Sequence, residues 1–113
     1  MKHLILFSFI LLLSACKPKS VPIPETVLPR ADMVSILVDM HIADAVAETK
    51  AQGGANEKEL TEQYYNRIYT LHHINKQQFT DSYRFYTENP ALMNELYEEV
   101  LTELSKKNAN VSK

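Results

Sequence analysis

The chain has 113 residues, 45% of them hydrophobic and 23% charged, with a formal net charge of −2. That length holds one small domain, and that composition excludes a mostly disordered chain. The charge carries no basic surplus for nucleic acid. Two glycines leave little material for a phosphate-cradling loop, and one cysteine excludes an internal disulfide framework and a cysteine-rich zinc site.

Residues 1–16 read MKHLILFSFILLLSAC, with Lys2 as a positive start and Leu4–Leu13 as an apolar stretch. A bilayer core of about 30 Å needs roughly 20 apolar residues to span it. This stretch is too short and has the length and flanks of a secretory signal. Its end, Leu13-Ser14-Ala15-Cys16, resembles a bacterial lipobox. The resemblance implies that residues 1–15 are a lipoprotein signal peptide, cleaved before Cys16. It also implies a diacylglyceryl group on the Cys16 thiol and an acyl chain on its new amine. One acyl chain holds a protein only marginally, at about 0.8 kcal/mol per buried CH₂, so two or three make a firm anchor. Modification of Cys16 leaves the mature chain no thiol for redox chemistry, metal binding or nucleophilic attack.

Residues 16–29 then read as the lipidated cysteine and a tether. Lys17–Pro29 holds four of the five prolines, which favours an extended polyproline-like chain. At about 3.1 Å per residue it reaches roughly 40 Å from the membrane. Lys17 stands where lipoproteins retained in the inner membrane of enteric bacteria carry Asp, and no acidic export run follows the cysteine. The expected location is the periplasmic face of the outer membrane, held there through Cys16.

Four helices are predicted next, so the fold class is all-α, a small helical bundle over residues 30–107 with a frayed tail at 108–113. The first runs from Arg30 to Gln52 and stops at Gly53-Gly54, good C-cap material. The second begins at Asn56, with Glu59 three residues on as a capping box, and ends near His72. The third starts at Asn75 with Gln78 in the matching place, and Ile74 and Phe79 form a hydrophobic staple. Asn89-Pro90 opens the fourth, which runs to Lys107.

Helical periodicity then assigns faces. The fourth helix points Leu92, Met93, Leu96, Tyr97, Val100 and Leu104 inward, and Glu95, Glu98, Glu99 and Thr102 outward. The second points Leu60, Tyr64, Ile68 and Leu71 inward, and the third Phe79, Tyr83 and Tyr86. The first differs, because it carries two nearly opposite apolar stripes. Met33, Ile36, Leu37, Met40 and Ala47 make one; Val34, Val38, Ile42 and Ala45 make the other. Either this helix is central to the bundle, or its second stripe, with Val38 and Ile42, is a docking surface.

The run Asp39-Met40-His41-Ile42-Ala43-Asp44-Ala45, followed downstream by His72-His73-Ile74, Phe79, Ser82, Tyr86, Asn89-Pro90, Tyr97 and Leu104, resembles a family of small Bacteroidota lipoproteins catalogued as a domain of unknown function. Two positions depart from its pattern. Asp44 stands where the family more often has Glu, and His73 where Gly is usual. Histidine tolerates left-handed backbone better than most non-glycine residues. The resemblance implies architecture and no activity.

His41, Asp44 and Glu48 share one helical face. Asp44 falls near the centre of the first stripe, where a buried carboxylate needs a partner such as His41, a tyrosine or an arginine. The same face suits a polar spot that reads a ligand, or a metal site completed by His72 or His73. Tyr65, Tyr69 and His72 line up along the second helix and, with Phe85, make a candidate aromatic surface patch. No triad context, phosphate loop or activated thiol points to catalysis, and no cofactor is implied. The expected function is a non-catalytic interaction module of the bacterial cell envelope, with an envelope protein as partner. A small-ligand or metal-binding lipoprotein is the alternative.

Overall fold

The computed structural model describes residues 21–112; the signal segment, Cys16 and the start of the tether lie outside the described residues. Four helices follow in order: α1 (Arg30–Gln52), α2 (Glu57–Leu71), α3 (Lys76–Thr87) and α4 (Pro90–Val111). The fold is a small all-α bundle, as the periodicity requires. α4 runs a full turn past the expected end at Lys107, because Asn108, Ala109, Asn110 and Val111 include no helix breaker. The tail expected to fray is helix as far as Val111.

Local chemistry explains most boundaries. Asn75 and Gln78 close a reciprocal capping box, with backbone-to-side-chain distances of 2.8 and 3.0 Å. At Asn56 the forward bond forms, accepting from the Glu59 amide at 3.2 Å, while the Glu59 carboxylate faces Gln63 instead. α1 and α2 both end in the same six-residue closure. After α1, the Ala55 amide donates to Lys50 and the Gly54 amide to Ala51, with Gly54 at φ +99°. After α2, Ile74 donates to Tyr69 and His73 to Thr70, with His73 at φ +55°. His73 therefore occupies the left-handed position that suits glycine. Left-handed backbone costs an L-residue about 1–2 kcal/mol, partly offset by glycine's looser unfolded chain. His73→Gly is expected to stabilise the domain by about 0.5–1 kcal/mol, read as a rise in thermal midpoint of a few degrees.

α1 is the central helix in its first half. Met33, Val34, Ile36, Leu37, Val38 and Met40 are all buried, so both predicted stripes are core there. α2 runs antiparallel to it: Lys50 meets the Tyr64 hydroxyl at 2.8 Å near one end, and Asp39 meets His72 at 2.8 Å near the other. α4 runs parallel to α1. Arg30 pairs with Glu95 and, at 3.0 Å, with Glu99 near the starts of both helices. Ile68, Tyr69, Tyr86, Leu92, Leu96 and Val100 complete the buried core.

Two faces come out differently from their periodicity. On α2 the buried pair is Ile68 and Tyr69, while Leu71 is 68% exposed. The helix closes at His72, and the C-terminal turn rotates Leu71 outward as Ile74 packs back on the core. On α1, Val38 is 3% exposed and belongs to the core, which removes it from any docking surface.

The end of the expected tether is part of the domain. Pro24 accepts from the Val27 amide at 3.0 Å in a turn, and Ile23, Val27 and Leu28 pack on the core. α3 clasps Leu28 at both backbone groups. The Leu28 amide donates to Ser82 Oγ at 2.9 Å, and the Tyr86 hydroxyl donates to the Leu28 carbonyl at 3.0 Å. Ser82 and Tyr86 are both fully buried. Proline content alone reads as an extended spacer, but three apolar side chains and two buried polar partners make docking favourable.

Candidate functional site

Asp44 sits on α1 one turn beyond Met40, between the buried Ala43 and Ala47. It is solvent-accessible rather than buried, and its partner is a tyrosine: the Tyr65 hydroxyl of α2 donates to both carboxylate oxygens, at 3.0 and 3.1 Å. One turn back along α1, His41 is exposed and lies edge-on to Tyr97 of α4, ring centres 6.2 Å apart. Tyr83 of α3 and Tyr97 join hydroxyls at 3.3 Å across the α3–α4 seam. Four helices thus bring His41, Asp44, Tyr65, Tyr83 and Tyr97 around one cleft of about 200 Å³, floored by Leu37, Met40 and Phe79.

Two hydroxyls in this cleft, those of Tyr65 and Tyr97, are held protonated. Burial, then the hydrogen bond to Asp44, pushes Tyr65 up to about 12. The hydrogen bond with Tyr83, then burial, pushes Tyr97 up to about 12 as well. Both are neutral throughout the physiological range. Glu48 stands apart from them, exposed on the next turn of α1. Among the described residues, no three His, Cys, Asp or Glu side chains converge on a point where a metal would sit.

The aromatic patch expected on α2 does not form as a surface. Tyr69 is 8% exposed and lies in an aromatic row, 6.5 Å from Tyr65 and 5.8 Å from Phe79, which in turn stacks on Tyr83 at 5.7 Å. His72 is half-buried and tied to Asp39, and Phe85 packs edge-on against Tyr86. Tyr69 turns inward because α2 closes onto α3 through the short His72–Asn75 connection. Of the α2 residues predicted for the patch, Tyr65 opens to the cleft that holds Asp44, and Tyr65 and Tyr69 both line a hollow that reaches Lys76 at the start of α3.

A second feature runs over the other side of α1. In its C-terminal half the second stripe is exposed: Ile42 and Val46 are each 40% accessible. Ile42 borders two depressions. One, of about 260 Å³, lies toward α2 with Val46, Tyr64, Arg67 and Ile68; the other, of about 510 Å³, lies toward α4 with Leu101, Leu104 and Val111. Arg67 and Ile68 also line the hollow beside Leu71. These depressions share lining residues and make an apolar groove, with Leu101 61% and Val111 85% exposed along it. Arg67 and Lys107 stand at its edges without carboxylate partners among the described residues. Sequence periodicity finds Ile42 but misses Leu101 and Val111, whose exposure depends on how far α4 overhangs α1.

The fold is a small all-α bundle with clefts on opposite sides of α1. Residues 24–110 match the family described as Domain of unknown function (DUF4296), and the chain belongs to that family. The match begins within the docked Ile23–Leu28 segment, in agreement with its place in the folded unit. Comparison with curated proteins and with solved structures returned no match.

Proposed function

We propose that this chain is a non-catalytic interaction module of the bacterial cell envelope. In this reading Cys16 carries lipid, the anchor sits in the outer membrane facing the periplasm, and the α1–α4 groove receives an envelope protein. The single observation that supports the docking role is the groove itself. Monomeric proteins rarely leave a run of large apolar side chains such as Ile42, Val46, Leu101 and Val111 in water without a partner to cover them. With Arg67 and Lys107 at its edges, the groove suits an apolar segment with acidic flanks, laid in as a helix.

The membrane part of the reading is supported by the lipobox-like Leu13-Ser14-Ala15-Cys16. Because Ile23–Leu28 belongs to the domain, the free tether is limited to the residues before Ile23. At about 3.1 Å per residue that holds the bundle within roughly 20 Å of the anchor, so the partner is itself at or near the membrane.

A photo-crosslinking side chain placed at Leu101 in intact cells tests the reading. One stoichiometric envelope protein is expected to be captured, and Ile42→Asp on the same chain is expected to abolish the capture. Equal capture with and without the Ile42→Asp change would remove the groove from the interaction. Mass spectrometry of the mature N-terminus tests the anchor separately, with a lipidated Cys16 as the expected result.

A further inference from the structure

The cleft on the opposite side of α1 plays no part in that docking role, and its chemistry is specific. Its lining is mostly aromatic, with His41, Tyr65, Phe79, Tyr83 and Tyr97 around Leu37 and Met40. Its one carboxylate is Asp44, and among the described residues no lysine, arginine or histidine pairs with it. Its partner is the neutral hydroxyl of Tyr65, which leaves lone pairs on both carboxylate oxygens available. The Tyr65 proton is committed to Asp44 and one of the Tyr83–Tyr97 pair donates to the other, which leaves one hydroxyl proton and the His41 ring free. The site is therefore rich in acceptors and π-faces around one carboxylate.

That combination disfavours an anion and favours a cation whose charge is spread over carbon. Cations sit favourably over aromatic faces within about 6 Å, at about 0.5–2 kcal/mol per contact depending on desolvation, and aromatic cages commonly select organic ammonium groups. The volume of about 200 Å³ is below the roughly 300–1,000 Å³ of pockets for drug-sized ligands. We propose that this cleft binds a small organic ammonium ion of about the size of choline, with Asp44 as its counter-charge, Tyr65, Tyr83 and Tyr97 as its aromatic walls and Phe79 in its floor. This goes beyond the docking role and is independent of it.

Calorimetric titration of the full chain in a non-ionic detergent tests the assignment, with choline chloride as the probe. Two controls are matched sodium chloride and 3,3-dimethylbutanol, the neutral carbon isostere of choline. Choline is expected to saturate a single site and to bind about tenfold or more tighter than the isostere, a difference of about 1.4 kcal/mol. Asp44→Asn retains an acceptor for Tyr65 and removes the charge; it is expected to weaken choline about tenfold with the thermal midpoint little changed. Tyr97→Phe is expected to retain binding and Tyr97→Leu to lose it. Absence of saturable choline binding by the folded wild-type chain overturns the proposal. So does equal affinity for the isostere, or an Asp44→Asn variant that binds as well as wild type.

Discussion

Val38→Asp is expected to unfold the domain, whereas Ile42→Asp, one turn along the same stripe, is expected to leave it folded. Val38 is 3% exposed between α1 and its neighbours, and Ile42 is 40% exposed. A carboxylate at position 38 has no cation within the core to pair with, and burying an unpaired charge destabilises by several kcal/mol. A loss of about 4 kcal/mol or more is expected, against a total stability of about 5–15 kcal/mol for a domain of this kind. At position 42 the carboxylate reaches water, and the change is expected within about 0.5–1 kcal/mol. Urea titration followed by circular dichroism reads both. An unfolded Ile42→Asp variant would show that the groove is a structural seam and would deprive the docking role of its support.

The second large effect is expected at the clasp on Leu28. Tyr86→Ala removes a fully buried ring that also donates to the Leu28 carbonyl, and should cost about 3–5 kcal/mol. Tyr86→Phe keeps the ring and leaves the Leu28 carbonyl without its donor, at about 1 kcal/mol. Ser82→Ala leaves the Leu28 amide without its acceptor, at about 1–3 kcal/mol. Hydrogen exchange gives the site-specific reading: in Ser82→Ala the Leu28 amide should exchange much faster than in wild type, while amides in the middle of α1 remain protected. If Leu28 exchanges at an unprotected rate in wild type, the segment is a free tether after all and the bundle starts at Arg30.

The clasp also shows how far the residues of the chain can be read before folding. Ser82 and Tyr86 stand among the residues that carry the family resemblance, and periodicity places Tyr86 inward. Neither observation says that their polar atoms serve a backbone 54 and 58 positions away. The same holds for Asp39, which pairs with His72, 33 residues on. The requirement that Asp44 have a partner was legible, and a tyrosine was among the candidates. Its exposure was not, because an apolar stripe specifies a face of a helix and not whether neighbouring helices close over it. Tyr69 shows the converse: spacing put it on a surface patch, and the α2–α3 connection turned it into the core.

By itself the sequence determined the elements of this protein. Caps at Asn56 and Asn75, the Gly53-Gly54 stop, Pro90 at a helix start and the 3.6-residue spacing of apolar side chains act over three to five neighbouring residues. Such local rules hold whatever the rest of the chain does, which is why α1, α2 and α3 begin and end where they were expected. His73, too, was readable as a left-handed closure, from the glycine usual at that position in the family the chain resembles. Only the tertiary structure decided which half of α1's second stripe is core and which is groove. It also decided that Leu28 is held rather than loose, and that three tyrosines and one carboxylate from four helices share a cleft. Those outcomes depend on the relative placement of helices separated by tens of residues, and burial is a property of that placement, not of any residue's own spacing.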